Sequence, residues 1–263
     1  MIFYMMRIQQ HHTPSHIPVV GEHGSPAAFV RHGRSGGFTL VEVLVVIVII
    51  AALAGAGGIA YQSSMVAAKR ASCASNMRQL GVGLIIHAQE NNGRLPASQH
   101  FKTYGSTDSW VFAMKDLFGG DIDEIRICPA DPQGPARARN NASSYVLNDF
   151  LDSGATDAWG NPLPGYGLLN SLSNPSQTMM LFIISDRKGT GTGNDHIHGA
   201  SWRSWGSVLA DIQPDRHRRG NANADHTNGS ANYLFVDGRV ESIEAAEIKR
   251  RIDSGINIAR PPQ

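Results

Sequence analysis

Residues 38–61 read FTLVEVLVVIVIIAALAGAGGIAY, and the rest of the 263-residue chain is organised around this apolar stretch. Glu42 is the one charged residue in it. A helix rises about 1.5 Å per residue, so the stretch would reach roughly 36 Å, enough to cross a bilayer core of about 30 Å with some tilt. An ionisable side chain near the edge of such a segment is costly, which predicts a function for Glu42.

The residues around the start of the apolar stretch follow a specific order. Arg31 and Arg34 precede Gly37 and Phe38, and Glu42 follows four residues after the phenylalanine. This order resembles the prepilin leader of type IV pilins and type II secretion pseudopilins. The resemblance implies that prepilin peptidase cuts between Gly37 and Phe38 and methylates the new amino group of Phe38. The apolar helix then stays in the mature subunit, where Glu42 serves assembly.

Two other interpretations apply to the same stretch. An ordinary secretory signal peptide also has a basic start, an apolar core and small residues at its cleavage site, which residues 52–56 would supply. A plain membrane anchor would need only the apolar run. Against the signal peptide, Glu42 would interrupt the apolar core, and the leader would be longer than about 50 residues where 15–30 are usual. These features favour the prepilin interpretation.

Composition and the lack of common motifs narrow the function classes. The net charge is +1, which does not indicate the basic face of a nucleic-acid-binding protein, so no nucleic-acid partner is expected. The one dense basic run, residues 216–219, is interpreted as a solvated loop. Cys73 and Cys128 do not make a zinc or redox motif. No nucleophile elbow or phosphate-binding loop is visible, and the chain is not expected to be an enzyme.

Helical spacing continues beyond residue 61. Apolar side chains recur there at intervals of three and four residues, which is the spacing of one helix face. They are Cys73, Met77, Leu80, Leu84 and Ala88. The pattern predicts one helix over residues 39–89, whose second half is amphipathic and packs on a domain. Residues 91–93 (Asn-Asn-Gly) and Pro96 are typical of a helix end.

The C-terminal part carries strand signals. Apolar runs at residues 144–147 and 178–184 predict short strands, and residues 187–229 are predicted to be irregular. Residues 231–243 alternate around an Asp-Gly pair, which predicts a hairpin with a type I′ turn. Residues 245–252 predict a short helix. The fold class is therefore α+β, with a long N-terminal helix packed on a small antiparallel sheet, as in pilins.

Two further segments resemble one group of pseudopilin-like proteins, the prepilin-type processing-associated group. Cys73 precedes an Asn-x-x-Gln-Leu-Gly turn of helix, and Cys128 precedes a proline, as in that group. The group's C-terminal signature is a histidine, nine residues and Asp-Gly. Here ten residues separate His226 from Asp237 and Gly238, and this extra residue leaves a direct role for His226 open.

Cys73 and Cys128 have two possible states. A disulfide persists beyond the membrane of a cell envelope and would tie the helix to the domain. The chain between them is about 55 residues long, for which the chain-entropy model gives roughly 4 kcal/mol of stabilisation. The alternative is a pair of buried thiols, a common environment for free cysteine.

A loop region holds weak candidates for metal ligands. Major pseudopilins of type II secretion bind calcium in a C-terminal loop, and the resemblance implies Ca²⁺ as the one cofactor to consider; otherwise none is expected. The alternative is that these are polar loop residues without a metal. The candidates are Asp186, Asn194, Asp195, His196 and His198.

These observations divide the chain into a leader (1–37), a transmembrane and assembly helix (38–61), its amphipathic continuation (62–90) and a globular α+β domain (91–263). The resemblance implies a structural subunit that crosses the inner membrane once, with its C-terminal domain in the periplasm. It would assemble with other pilin-like subunits into a type II secretion or type IV pilus-like filament, in the periplasm or at the cell surface. The implied partners are prepilin peptidase, other subunits, an inner-membrane platform and lipid. The alternatives are a surface adhesin or substrate-binding minor pilin, and a membrane-anchored hydrolase.

Overall fold

The computed structural model describes residues 37–99, 109–152 and 167–263. The predicted leader, apart from Gly37, lies outside these residues. The chain divides into two units, residues 1–49 and 50–263. The second unit contains the sheet and the hydrophobic core, so the predicted α+β class is confirmed.

One helix, α1, runs from Leu40 to Glu90 and confirms the prediction for residues 39–89. It ends in a left-handed turn, because Asn92 has φ +56° and Gly93 has φ +83°. The Gly93 N–H donates to the Ala88 carbonyl at 2.7 Å. This bond satisfies one of the carbonyls that a helix end leaves without a partner.

The first ten residues of α1 lie in the first unit and expose their apolar side chains. From Leu40 to Ile49 every apolar side chain is at least 48% exposed. Within the part of the chain that the structure describes, none of the helices has the length and apolarity required to span a bilayer.

Five short strands form one antiparallel sheet in the second unit. They are β1 (Tyr145–Leu147), β2 (Met179–Ile183), β3 (His217–Arg218), β4 (Gly229–Phe235) and β5 (Val240–Glu244). The central strand β4 pairs with β5 along one edge and with β2 and β3 along the other, and β1 extends the sheet beyond β2. The strands predicted at residues 144–147 and 178–184 and the hairpin at 231–243 are confirmed.

The turn between β4 and β5 differs from the predicted two-residue type I′ turn. Only Gly238 has a positive φ, +85°, while Asp237 does not. The Gly238 N–H donates to the Phe235 carbonyl at 3.0 Å and the Phe235 N–H donates to the Arg239 carbonyl at 2.8 Å. This is a three-residue loop with a type I turn followed by a left-handed glycine. Val236 belongs to the loop, which the alternating pattern could not indicate.

The described residues contain three further α-helices: α2 (Gly134–Arg139), α3 (Trp205–Asp211) and α4 (Ala245–Asp253). The α4 helix confirms the prediction for residues 245–252. The α3 helix and β3 lie in the segment predicted to be irregular. A capping box formed by Ser204 and Ser207 begins α3, and serine at both positions is a weaker sequence signal than the usual glutamate.

The second half of α1 packs on the core of the second unit as predicted. The five residues of the predicted face are at most 2% exposed. Two glycines of the helix allow close packing, since a Cβ at Gly81 would lie 2.9 Å from Leu234 Cδ1 and one at Gly83 would lie 3.0 Å from Met114 Sδ. The apolar period thus predicted the buried face, and the glycines allow its close contact with the core.

The basic run 216–219 is not a solvated loop at its start, which corrects the interpretation from the sequence. Arg216 and His217 are both 5% exposed. Arg216 Nη1 lies 2.7 Å from Asp186 Oδ1, and Arg216 Nη2 donates to the Ile184 carbonyl at 2.8 Å. Ion pairing to a distant carboxylate and strand pairing of β3 explain why these polar residues are buried.

Candidate functional site

The predicted cleavage site is accessible in the structure. Gly37, Phe38 and Thr39 precede α1 and have no regular secondary structure. Phe38 is 84% exposed, and a Cβ built on Gly37 meets no atom within 4 Å. The fold therefore does not require glycine at position 37, so any requirement for it would come from an enzyme that reads the segment.

Thr39 and Glu42 begin α1 with a capping box. Thr39 Oγ1 accepts a hydrogen bond from the Glu42 N–H at 3.3 Å, and Glu42 Oε2 accepts one from the Thr39 N–H at 2.8 Å. The Thr39 hydroxyl also donates to Glu42 Oε2 at 2.8 Å. This arrangement satisfies backbone donors that a helix start otherwise leaves unpaired. The sequence analysis missed it, although Thr-x-x-Glu before an apolar run is its signature.

Comparison with known proteins bears on this segment. Residues 33–58 match the family model described as the prokaryotic N-terminal methylation motif. The chain carries the prepilin-type cleavage and methylation signal. This confirms the resemblance to type IV pilins and pseudopilins over the matched residues, and supports a pilin-like substrate of prepilin peptidase. The signal implies assembly with other pilin-like subunits and suggests a membrane-anchored or surface-exposed location. No curated protein and no solved structure matches the chain.

Outside the prepilin-type signal, the structure brings the two predicted cysteines together. Cys73 on α1 and Cys128 in the turn-rich segment after the 3₁₀ helix Trp110–Phe118 are free thiols, at most 1% exposed. Their Sγ atoms and a ring nitrogen of His217 all lie within 4.8 Å of one another. The Tyr145 hydroxyl donates to Cys73 Sγ at 3.6 Å. The disulfide stays a prediction, and His217 is a member of the cluster that the sequence analysis missed.

The two thiols of this cluster differ in the direction in which their surroundings shift the pKa. Burial opposes ionisation of Cys73, but the adjoining Cys128 thiol and His217 ring together hold the pKa of Cys73 well below its ordinary value. The interaction with Cys73, followed by burial, raises the pKa of Cys128 well above its ordinary value. Burial and the charge on Cys73 likewise raise the pKa of Tyr145. Of the two thiols, Cys73 is therefore the one that ionises more readily.

Two of the predicted metal candidates form a structural pair. Asp195 is 2% exposed, and its carboxylate accepts hydrogen bonds from the Gln99 N–H at 3.2 Å and the Trp110 N–H at 3.3 Å. His196 Nδ1 lies 3.0 Å from Asp195 Oδ1. The Asp195 carboxylate thus holds the backbone of two distant segments together, which is sufficient to explain its burial.

The other predicted candidates have separate partners. Asp186 pairs with Arg216, His198 Nδ1 lies 3.3 Å from an Asp211 oxygen, and the Asn194 amide donates to a backbone carbonyl at 3.5 Å. In the described residues, one group of three or more His, Cys, Asp or Glu side chains lies close enough together to hold a metal ion, and it is Cys73, Cys128 and His217. The structure does not gather the predicted loop candidates, and bound calcium stays a prediction.

The residues of the C-terminal signature lie at opposite ends of β4. His226 precedes the strand, and its Nδ1 lies 3.1 Å from the buried Asp215 carboxylate. Asp237 and Gly238 follow the strand in the turn to β5. The seven residues of β4 separate these ends by roughly 20 Å at about 3.3 Å per residue. The signature residues therefore serve two different turns and do not form one site.

Proposed function

We propose that this chain is a pilin-like structural subunit. Prepilin peptidase cleaves it between Gly37 and Phe38 and methylates the amino group of Phe38, and the mature subunit assembles through α1 into a type II secretion or type IV pilus-like filament. The observation that carries this proposal is the methylation signal at residues 33–58, which leads into a helix with exposed apolar side chains.

The exposed apolar side chains of α1 supply the driving force for anchoring and assembly. Burying one Val, Leu or Ile side chain is worth about 1.5–3 kcal/mol. Nine such side chains lie between Leu40 and Ile49, and each is at least 48% exposed. Lipid would cover them before assembly and neighbouring helices would cover them in the filament. Contacts between the helices of neighbouring subunits would be heterologous and would not close into a ring, as a helical filament requires.

Cleavage also gives Glu42 a partner. Residues 38–61 contain no Lys, Arg or His. The cut creates an α-amino group at Phe38, which is mostly charged at neutral pH. That group can pair with Glu42 of the same subunit or of a neighbour. Between subunits the pair would set the axial register, a use of polar groups in apolar interfaces that is known from coiled coils.

In this proposal residues 38–61 anchor the unassembled subunit in the inner membrane by a single pass. Residues 62–90 continue the helix into the periplasm, and residues 91–263 form the periplasmic domain. The partners are prepilin peptidase, other pilin-like subunits, an inner-membrane assembly platform and membrane lipid. The role is structural, without catalysis, and the filament lies in the periplasm or at the cell surface.

The N-terminus of the mature chain tests the processing step. We expect intact mass and N-terminal sequencing of the membrane-associated protein to give a chain that begins at Phe38 and carries one methyl group. A mature chain that begins near Gly55 or Gly57 would instead indicate an ordinary signal peptide and would contradict the proposal.

A pair of glycine substitutions separates recognition by the peptidase from folding. Gly37→Val adds a side chain where a Cβ meets no atom within 4 Å, and Gly193→Val does the same at an exposed position of the short 3₁₀ helix Thr192–Asn194. We expect the Gly37→Val chain to accumulate uncleaved and the Gly193→Val chain to be processed normally. Cleavage of Gly37→Val at the wild-type rate and position would show that the signal is not read at this glycine.

A further inference from the structure

Three side chains with metal-binding atoms meet in the core of the second unit. They come from distant parts of the chain: Cys73 from α1, Cys128 from a turn and His217 from β3. Their ligand atoms lie within 4.8 Å of one another. Ligands around a tetrahedral Zn²⁺, with bonds of about 2.0–2.3 Å, lie roughly 3.5 Å apart. Binding of zinc would therefore draw these ligand atoms closer together.

His217 has a polar edge that the protein leaves unsatisfied. The residue is 5% exposed, and in the part of the chain described here neither Nδ1 nor Nε2 has a hydrogen-bond partner. A buried polar group without a partner destabilises the folded state. A ligand that accepts an electron pair from one of these nitrogens, next to two sulfurs, would remove part of that cost.

The cluster lies beside a surface cleft. His217 lines this cleft, which has a volume of about 220 Å³, and the other lining residues include the cations Lys69, Arg216 and Arg218. Both ring nitrogens of His217 are buried, so an ion would enter only when the side chains between the cleft and the ring move aside. A water molecule would then supply a fourth ligand, as in zinc sites with three protein ligands.

The donor set selects the kind of ion. Two thiolates and a neutral imidazole carry a charge of −2, which one divalent ion neutralises, and a neutral site avoids the cost of a buried net charge. Calcium and magnesium prefer oxygen ligands, whereas thiolate and imidazole together suit zinc. We propose that Cys73, Cys128 and His217 bind one Zn²⁺ ion, which ties α1 to the turn at residue 128 and to β3.

This proposal concerns the reduced chain and is independent of the filament proposal. Zinc binding displaces the thiol protons into solvent and leaves both sulfurs unoxidised. A disulfide forms only when an oxidant removes two electrons and two protons from the thiols, and it leaves no thiolate to bind the metal, so the two states exclude each other. The isolated protein can therefore hold zinc or the cross-link, and chemical analysis distinguishes them.

Cobalt substitution of the wild-type chain tests the site without any variant. The full-length chain would be purified under reducing conditions, stripped with a chelator and titrated with Co²⁺ and then with Zn²⁺. We expect one equivalent of Co²⁺ to produce an intense near-ultraviolet thiolate-to-cobalt absorption band, which Zn²⁺ then abolishes. The band identifies sulfur ligands, so Co²⁺ bound to other histidines of the chain does not produce it. Absence of the band would overturn the proposal.

Two histidine substitutions assign the third ligand. His217→Gln removes the imidazole from the cluster, whereas His226→Gln changes a histidine that lies beside Asp215 and outside the cluster. We expect His217→Gln to weaken Zn²⁺ binding at the cobalt-sensitive site by more than about 100-fold, beyond the 10–100-fold typical of outer-shell changes. His226→Gln should bind as the wild type does. Unchanged binding by His217→Gln, or a Cys73–Cys128 cross-linked peptide without zinc in protein from the cell envelope, would overturn the assignment.

Discussion

The two halves of α1 share one backbone conformation but have different surroundings. From Leu40 to Ile49 every apolar side chain is at least 48% exposed, whereas the apolar face from Cys73 to Ala88 is at most 2% exposed. The first half is apolar on every side, and the second is apolar on one face with polar residues elsewhere. A helix that is apolar all round is matched to a membrane or to the centre of a helix bundle, and an amphipathic helix to the surface of a domain.

The difference in exposure indicates different roles for the two halves of α1. The second half contributes to the free energy of unfolding of the domain, because its side chains fill the core. The apolar side chains of the first half are exposed in the single chain, and in the proposed function they contact lipid and other subunits. The same substitution should therefore change the stability of the domain by different amounts in the two halves.

The largest effect is expected for Leu84→Ala. Leu84 is fully buried in the second half of α1, and truncating a buried leucine to alanine costs about 2–5 kcal/mol through lost burial and the resulting cavity. Leu44→Ala makes the same change in the first half, where the leucine is 50% exposed, and should change stability by less than about 0.5 kcal/mol. Denaturant unfolding of the full-length chain, followed by tryptophan fluorescence, measures both. Equal effects would contradict the division.

The second prediction concerns an ion pair in the domain. Asp211 Oδ1 lies 2.9 Å from Lys188 Nζ, and Asp211 Oδ2 accepts from Trp202 Nε1 at 2.7 Å and from the His198 N–H at 2.8 Å. Lys188 and Asp211 side chains are 10% and 6% exposed. Asp211→Asn should lower the free energy of unfolding by about 3 kcal/mol, because it leaves the lysine charge without its partner.

The same carboxylate should make domain stability depend on pH. Burial acts to raise the pKa of Asp211, but the Lys188 charge and three hydrogen-bond donors outweigh it and hold the pKa below its ordinary value. The folded state thus binds the proton less tightly than the unfolded state. The stabilisation is present above about pH 4, the ordinary value for Asp, and is lost as the pH falls below it. Asp211→Asn should flatten this part of the acid unfolding curve, and an unchanged curve would contradict the assignment.

A smaller effect is expected for Gly83→Ala in the second half of α1. A Cβ there would lie 3.0 Å from Met114 Sδ and from two ring atoms of Phe118. Overpacking costs about 1–3 kcal/mol, and the gain of about 1 kcal/mol in helix propensity offsets part of it. We expect a net loss of about 1 kcal/mol. Gly206→Ala in α3, where the nearest atom is 3.8 Å away, should instead be neutral or stabilising. Stabilisation by both alanines would show that α1 is loosely packed.

The comparison of the two halves also shows which features the sequence could predict. The bounds of α1 and its buried face depend on a local period and on an Asn-Asn-Gly end signal, and both are confirmed by the structure. The β4–β5 hairpin also follows from a local pattern. Its turn type does not, because whether Val236 joins the strand or the loop depends on pairing with neighbouring strands.

The cluster around Cys73 shows what local patterns leave undetermined. The sequence predicts a solvated basic run around His217. Residue spacing does not indicate that β3 pairs with β4, which brings the His217 ring beside two cysteines. The burial of Arg216 likewise depends on Asp186, a residue 30 positions away in the chain. Such contacts are set by the order of strands in the sheet.

The smallest effect on domain stability is expected for Glu42→Val, which nevertheless tests the first half of α1 most directly. Glu42 lies in the first unit and contacts Thr39, so its replacement should leave the unfolding of the second unit unchanged. Membrane insertion and leader cleavage should also persist, because valine extends the apolar run and Gly37 and Phe38 are intact. Filament assembly should fail or lose register, because the amino group of an incoming Phe38 would find no acid at a fixed depth. A leader-processing blot and filament shearing measure these outcomes.

Glu42→Gln separates the charge of this residue from its capping role. A glutamine can accept the hydrogen bond from the Thr39 N–H, as the capping box allows, but it carries no charge for the amino group of a neighbour. If the charge sets the register, Glu42→Gln should fail to assemble as Glu42→Val does. If the cap alone matters, Glu42→Gln should assemble and Glu42→Val should not. Normal filaments from both variants would mean that Glu42 lies among lipid headgroups without a role in assembly, because neither its charge nor its hydrogen bond would then be needed.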